Sequence, residues 1–430
     1  MRRITVLAVL VCAAVAAQDL NSSDPKQRAK AARELAKSGS EVIAQLTPLL
    51  KDPVSDVRIE AVRSIVTIGT QHSLQPLVEA TRDNEPEVQL RATDGLVNFY
   101  LPGYMQTGLS RLTASVRGRF DRENTQVIDP YITPRPEVIE ALGRLAKGGT
   151  SMDVRANAAR AIGILRGTAA VPDLIEALQS RDDNVLFEAL IAFQKIRDES
   201  AGPRIVFLLR DLHERVQVAA IDTVGLLRTR QAVADLQRVY DNAGSDRVRR
   251  AALTSLSMLG DPASRPYFQR AFNDKNDGVR ASAAEGFARL KNAADRPAIE
   301  KAFNGERKMA PRLALAFALV SLGDLQTAEL SPLTYLVNTL NSRSYRNVAE
   351  PYLIEAARDA AVRNALYGYL KNGTRDEKTG LARVFAASGD SESVPQVQWM
   401  TKDPDPETAQ EAIRALRTLQ SRLGASDPRP

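Results

Sequence analysis

The sequence predicts an all-α fold, an α-solenoid (superhelix) of about eleven to twelve stacked helical hairpins. The first observation is a valine that recurs at an almost constant spacing, apart from one interruption, and opens a run rich in alanine and leucine. The second is a proline that follows many of these valines at an equally constant spacing. Two markers in constant phase, with a period of about 31 residues, indicate one supersecondary unit copied many times. The valines are Val57, Val88, Val154, Val185, Val216, Val248 and Val279; the prolines are Pro76, Pro172, Pro203, Pro266 and Pro297.

The composition supports helices rather than strands. Aromatic residues make up 5% of the chain, while the whole hydrophobic fraction is 44% and is mostly aliphatic residues and alanine. Small, alanine-rich cores suit closely packed helices, because strands favour β-branched and aromatic residues.

Residues 151–182 illustrate the predicted hairpin. An apolar stripe on one helix face follows an aspartate, Asp153, that we expect to cap the helix, as Asp56, Asp246 and Asp277 do in other copies. A glycine then ends the helix in the left-handed conformation, and a proline opens the second helix at its first turn. The stripe is Val154, Ala158, Ile162 and Leu165; the glycines are Gly167 here and Gly69, Gly260, Gly323 and Gly389 elsewhere.

This register divides residues 18–421 into repeats. The terminal segment 422–430 is polar, contains two prolines, and is expected to be disordered. The predicted units are 24–52, 53–83, 84–150, 151–182, 183–211, 212–244, 245–274, 275–305, 306–340, 341–371 and 372–403, with a half unit at 404–421.

Residues 1–17 have the features of an export signal. Arg2 and Arg3 precede an apolar run, 4–15, that is too short to span a membrane, and Ala16 and Ala17 supply small residues for cleavage. The only cysteine, Cys12, lies inside this run. Cleavage near Ala17 therefore predicts an exported, periplasmic or secreted, bacterial protein without disulfides.

The formal charge of +6 reflects 58 basic and 52 acidic residues that are interleaved along the chain. This pattern is typical of a solvated surface, so we expect no nucleic-acid partner. The arginine that follows several repeat valines recurs one turn from an aspartate. We interpret it as an ion-pair partner between neighbouring units, contributing at most about 1 kcal/mol where it is exposed.

The pattern resembles the short HEAT repeats of the phycobilisome-lyase-like kind. The resemblance rests on Asp-Val-Arg followed by alanine and leucine at 56–66 and 153–165, on the same pattern with one inserted glycine at 277–290, and on the proline that opens each second helix. It implies a curved solenoid whose second helices line a concave face. Such repeats serve scaffolds, adaptors, lyases and hydroxylases, so the resemblance implies little about function.

The sequence has few of the residues that enzymes with HEAT repeats use for catalysis. The iron-dependent hydroxylases use several His-Glu dyads, but this chain has His213-Glu214 and one other histidine, His72. The DNA glycosylases use several tryptophans, and Trp399 is the only one present. We therefore predict no catalytic residue, no metal site and no cofactor.

The interruption, at about 101–135, is the candidate partner-binding segment. It lengthens the connection between the Val88 helix and the Pro136 helix well beyond that of the other copies, and it has an acid-free basic stretch followed by a proline-rich one. Tyrosine and arginine are favoured interface residues. The alternative is that the insert folds back onto the repeat core. The candidate binding residues are Tyr100, Tyr104, Arg111, Arg117, Arg119, Phe120 and Tyr131.

Tyrosines also cluster in the C-terminal units. We expect them to fill an irregular core while their hydroxyl groups stay in contact with water. They are Tyr335, Tyr345, Tyr352, Tyr367 and Tyr369.

The sequence thus favours an exported protein–protein interaction scaffold. Two alternatives stay open: a lyase- or hydroxylase-like HEAT enzyme, and a peripheral binder of anionic membrane or polymer surfaces that uses the basic insert. The identity of the protein partner and the oligomeric state are not encoded in any motif.

Overall fold

The computed structural model describes residues 19–104 and 126–425, and over these ranges the chain forms 23 α-helices and no strand. Several hairpins also contain short 3₁₀ turns. The helices are α1 Pro25–Leu35, α2 Ile43–Leu46, α3 Ser55–Ile68, α4 Gln71–Ala80, α5 Pro86–Tyr100, α6 Pro136–Gly148, α7 Met152–Ile164, α8 Val171–Ala177, α9 Asp183–Ile196, α10 Gly202–Ile205, α11 Glu214–Leu226, α12 Val233–Asp241, α13 Asp246–Leu259, α14 Arg265–Ala271, α15 Asp277–Leu290, α16 Arg296–Gly305, α17 Met309–Ser321, α18 Pro332–Asn338, α19 Arg346–Ala356, α20 Ala360–Asn372, α21 Arg375–Ser388, α22 Ser393–Met400 and α23 Pro406–Ala425.

These helices form the predicted hairpins. Odd-numbered helices are the first helix of each hairpin and even-numbered helices are the second, so the described residues contain eleven hairpins and the single helix α23. The fold class predicted from the sequence is confirmed. The chain divides into two compact units. Among the described residues, the first contains 19–104, 126–128 and 132–204, and the second contains 129–131 and 205–425.

The helix caps differ from the sequence prediction. The caps of α7, α13 and α15 are Ser151, Ser245 and Asn276, and each accepts a hydrogen bond at 3.2 Å from the N–H of the repeat valine that follows it. The predicted caps Asp153, Asp246 and Asp277 lie inside the first turn. There a carboxylate interacts favourably with the positive end of the helix dipole.

The helix ends follow the glycine prediction only in part. Gly69, Gly260 and Gly323 have positive φ, at 59°, 58° and 89°. At the end of α7, however, Arg166 takes the left-handed conformation with φ of 50°, and Gly167 follows it with φ of −72°. The prediction was therefore wrong for Gly167, and also for Gly389, whose φ is −66°.

Prolines open second helices at Pro172, Pro266 and Pro297, which lie in the first turns of α8, α14 and α16. Pro76 is different, because it lies inside α4. At the N-terminus of α4 the backbone N–H of Thr70 instead donates to the Ser73 hydroxyl at 3.2 Å.

Neighbouring first helices approach each other at the backbone. In the first unit, a Cβ added to Gly163 of α7 would lie 2.8 Å from the Cα of Ala192 of α9. In the second unit, a Cβ on Gly225 of α11 would lie 2.9 Å from the Cα of Ser255 of α13. Real Cβ atoms do not come this close, so glycine is required at both positions.

Arginines join neighbouring hairpins at some of the predicted positions. Arg58 donates from Nε and Nη2 to Asp83, at 2.7 and 3.0 Å, and from Nη1 to the carbonyl of Asp52 at 3.0 Å. Arg280 repeats the arrangement with Glu306 at 2.8 Å and the carbonyl of Asp274 at 2.9 Å. Interunit ion pairing is therefore confirmed for Arg280, whose partner Glu306 lies in the next predicted unit. Asp83 lies in the same predicted unit as Arg58, so Arg58 reaches a neighbouring unit only through the carbonyl of Asp52.

Two other members of this series make different contacts. Arg155 donates to the carbonyl of Gly149. The position equivalent to Asp83, the partner of Arg58, is occupied by Ser180, which carries no charge. Arg249 donates to Asp246 on its own helix. The expected interunit pair is absent at these two described positions.

No helix among residues 19–104 and 126–425 is both long and apolar enough to cross a membrane.

We predict that Arg58→Ala lowers the free energy of unfolding by about 2–3 kcal/mol, because it leaves the carboxylate of Asp83 without its partner in a site where the two side chains are 13% and 8% exposed. The matched control is Arg249→Ala, since Arg249 holds the same repeat position but pairs with an aspartate that is 87% exposed. That change should cost less than about 1 kcal/mol. Chemical denaturation of both variants tests this, and equal losses would contradict it.

Candidate binding surfaces

Tyr100 is the last residue of α5, and its hydroxyl accepts a hydrogen bond from the backbone N–H of Arg135 at 3.0 Å. Arg135 caps α6, the second helix of the interrupted hairpin. Tyr100 also packs edge to face against Phe99. This candidate therefore joins the two ends of the insert.

Tyr104 and Tyr131 are the other two described candidates. Tyr104 is half-buried, and its N–H donates to the carbonyl of Leu101. In the second unit, the Tyr131 hydroxyl donates to Asp129 at 2.8 Å, and Asp129 also accepts from Arg414 of α23. The candidates Arg111, Arg117, Arg119 and Phe120 lie outside the described residues.

The later part of the insert contributes to the repeat core. Ile128 is 1% exposed, and its N–H donates to the carbonyl of Ile164 at the end of α7. At this residue the insert folds back onto the repeats, as the core alternative expected.

First helices also contact each other across the insertion. Asn157 of α7 donates to Asp94 of α5 at 2.9 Å, and the Thr150 hydroxyl donates to Gln89 of α5 at 2.8 Å. The interrupted hairpin and the hairpin that follows it are therefore stacked first helix to first helix.

A groove of about 450 Å³, lined by polar and apolar groups, lies over three consecutive first helices of the second unit, α11, α13 and α15. Relative to each repeat valine, its lining comes from positions −1, +2, +3 and +6, which share one helix face. Ala310 of α17 and Tyr352 of α19 complete it. From the repeats, the lining is Val218 and Asp222; Arg247, Arg250, Ala251 and Thr254; and Gly278, Ala281, Ser282 and Glu285.

Small side chains form the floor of the groove, where Ala251 and Ala281 are buried. Arg247 and Arg250 are exposed and form its rim. A Cβ on Gly278 would lie 3.2 Å from the Cδ of Arg250, so a glycine leaves room for this arginine to lie across α15.

Ion pairs and hydrogen bonds fix one end of the groove. Glu285 accepts from the Tyr352 hydroxyl at 2.6 Å through one carboxylate oxygen and from Arg289 at 3.1 Å through the other. Arg289 also makes a bidentate pair with Glu355, at 2.8 and 2.7 Å. Both oxygens of Glu285 thus have partners within the protein.

Tyr352 only partly fits the expectation for the C-terminal tyrosines. It is 7% exposed and stacks on Phe317, with ring centroids 4.9 Å apart, so it belongs to the core. Its hydroxyl bonds to Glu285 rather than to solvent, and burial together with this bond raises the pKa of Tyr352.

Asp222 is the carboxylate of the groove that lacks a bonded partner among the described residues. It accepts no hydrogen bond from the residues that the structure describes. Burial raises the pKa of Asp222 to about 6, with Arg247 acting in the opposite direction. Arg247 itself lies 3.6 Å from Glu214. Arg250 likewise forms no ion pair with a described residue.

A smaller cavity of about 200 Å³ lies in the first unit between α6, α7 and α8. Its Lys147 pairs with Asp173 at 2.9 Å and with Glu176 at 3.6 Å. Because these charges already have partners, the groove of the second unit is the better candidate binding site.

The residues proposed for other chemistries are dispersed. Over 19–104 and 126–425, no group of three histidine, cysteine, aspartate or glutamate side chains is arranged to hold a metal ion. His72 and His213 are both exposed, and His213 is the residue that precedes α11. Trp399 is 53% exposed on α22.

A sequence model of HEAT repeats matches residues 13–97, 139–211 and 202–288. The chain belongs to the HEAT-repeat family. The matches leave residues 98–138 uncovered, and this interval contains the insert. None of the curated proteins compared with this HEAT-repeat chain matches it.

Several solved structures resemble the chain. An engineered protein is 19% identical with a TM-score of 0.40, over 95% of this chain and 99% of that one. The CpcE–CpcF complex of phycocyanin lyase from Nostoc sp. PCC7120 is 16% identical with a TM-score of 0.36, over 60% and 90%. Importin beta is 15% identical with a TM-score of 0.46, over 95% and 64%.

Sequence reasoning missed the groove, although one signal was present. The sixth residue after the repeat valine is charged in five copies, at Arg63, Asp94, Arg160, Asp222 and Glu285. A charge recurring inside a first helix marks the face that is not covered by core. In the first unit this face carries Arg160, which donates to Glu188 at 2.8 Å.

We predict that Asp222→Asn removes a pH-dependent loss of stability. Because the pKa of Asp222 is raised to about 6 on folding, its neutral form favours the folded state below pH 4 and this stability is lost as pH rises through 6. The variant should match the native protein near pH 4 and exceed it by about 1–3 kcal/mol at pH 7, after allowing for partial exposure. Denaturation between pH 4 and 8 measures the difference, with Glu79→Gln on the exposed face of α4 as control. A difference that does not vary with pH would contradict the assignment.

Proposed function

We propose that this HEAT-repeat protein is an exported, non-enzymatic scaffold that binds another protein. The observation that carries the proposal is the groove over α11, α13 and α15, which combines a carboxylate and a guanidinium that both lack bonded partners among the described residues. Charged groups without partners contribute to binding when a second protein supplies the complementary charge.

The arrangement of the other polar groups supports recognition rather than catalysis. The hydroxyls of Thr254 and Ser282 hydrogen bond to each other at 2.7 Å, and Glu285 is held by Tyr352 and Arg289. These groups give the groove a fixed shape. Repeat arrays present extended surfaces of this type to their partners.

Export is supported by the order of segments at the N-terminus: two arginines, an apolar run of secretory length and two alanines. Under this proposal the groove meets its partner in the periplasm or outside the cell.

We predict that the mature protein begins at about Ala17–Asp19 when the full-length gene is expressed in a bacterial host. N-terminal sequencing of the protein from the envelope or medium tests this. Leu7→Asp combined with Leu10→Asp should block export, because charges interrupt the apolar run. Native protein that keeps Met1 and remains in the cytoplasm would contradict export.

We also predict that cross-linking in cells captures a specific protein and that Arg250→Glu lowers its yield at least fivefold. Arg250 is exposed and has no ion pair with a described residue, so its replacement should leave the fold intact. Arg249→Glu, at the next exposed arginine of the same helix but outside the groove, is the control.

Arg117→Ala tests whether the insert is used instead. A yield that falls with Arg117→Ala and not with Arg250→Glu would move the binding surface to the insert. If no protein is captured reproducibly by the native chain, the scaffold proposal is rejected.

A further inference from the structure

The charged side chains that line the groove of the second unit are two carboxylates and two guanidiniums. With the groups linked to them by ion pairs, the set comprises four carboxylates and three guanidiniums. The carboxylates are Asp222, Glu214, Glu285 and Glu355, and the guanidiniums are Arg247, Arg250 and Arg289.

These charges differ in whether they are already neutralised. Glu285 and Glu355 share Arg289, and Glu214 faces Arg247. Asp222 is part-buried on α11 and accepts no hydrogen bond from a described residue. A partly desolvated carboxylate without a donor gains most from a ligand that supplies a positive charge and N–H groups.

The shape of the groove favours a side chain attached to an extended chain. The floor at Ala251 and Ala281 lies over two consecutive first helices, so the groove continues across the helix axes. It has a volume of about 450 Å³ and is open to solvent, so a side chain can enter it from a segment that stays at the surface. At the rim, the guanidinium groups of Arg247 and Arg250 are exposed donors for backbone carbonyls of such a segment.

We propose that this groove binds a lysine or arginine side chain from an extended segment of a partner protein, with the cationic group against Asp222. This inference rests on the scaffold function and adds the chemistry of the partner. The hydroxyls of Thr254 and Ser282 and the rim arginines then contact the backbone of the segment, while the small floor residues allow that backbone to approach closely.

The test is selection of a displayed random nonapeptide library on the full-length mature protein. We expect lysine or arginine to be enriched at least fivefold at one position of the selected peptides. Replacing that residue by alanine in the tightest-binding peptide should weaken its affinity at least tenfold by calorimetry.

Matched protein variants locate the contact. Asp222→Asn should weaken the same peptide at least tenfold, and this variant is expected to be at least as stable as the native protein at pH 7, so unfolding does not explain the loss. Asp246→Asn removes an exposed carboxylate of α13 outside the groove and should change the affinity less than twofold. Ala281→Leu should also weaken binding, because it fills the floor.

Three results would overturn the inference: peptides selected without an enriched basic position, affinities that Asp222→Asn leaves unchanged, or acidic peptides whose binding depends on Arg250. If in-cell cross-linking still captures a protein in an Arg250-dependent way, only the partner chemistry fails. Selected basic peptides without any captured protein would instead contradict the scaffold function.

Discussion

The close approach of neighbouring first helices is the contact on which the rest of each unit depends. Gly163 against Ala192 in the first unit, and Gly225 against Ser255 in the second, bring backbones together at distances that exclude a Cβ. The Ser255 hydroxyl then reaches across and donates to the carbonyl of Ile221 at 2.7 Å. Such packing places large numbers of atoms in van der Waals contact without large side chains, which is why a chain with 5% aromatic residues can still bury a core within each unit.

This spacing also decides where charged side chains can lie. They are excluded from the faces where helices meet, so they collect at the edge positions, where neighbouring helices bring them within bonding distance. Arg33 and Glu60, and Arg160 and Glu188, pair in this way between neighbouring first helices, whereas Arg289 and Glu355 join α15 and α19, which are two hairpins apart. Because the positions repeat, the pairs form a series along the first helices. The groove is the part of the series where small residues leave space and pairing is incomplete.

The sequence predicted the features that depend on periodicity and missed those that depend on particular neighbours. The repeated helical hairpin followed from the valine and proline spacing. The caps did not, because Ser151 and Asp153 are both good capping residues and only the backbone geometry selects Ser151. The buried position of Ile128 depends on the end of α7, which the sequence of the insert does not contain. The environment of Asp222 could not be predicted, because the side chains around it come from helices of successive repeats that lie far apart in the sequence.

At Asp222, folding favours the neutral carboxyl group, whereas the proposed binding of a cation favours the charged carboxylate. Its carboxylate is largely withdrawn from water, and this burial raises its pKa to about 6, so the charged form present at neutral pH opposes folding of the second unit. Under the proposed binding, a cation next to Asp222 stabilises its charged form. Arg247 provides only part of this stabilisation, because it also lies 3.6 Å from Glu214. Any ligand that binds the folded state alone stabilises it to an extent set by its affinity and concentration. Under this proposal, binding at Asp222 increases the stability of the surrounding hairpins. The coupling arises because the Asp222 carboxylate has no bonded partner among the described residues in the free protein.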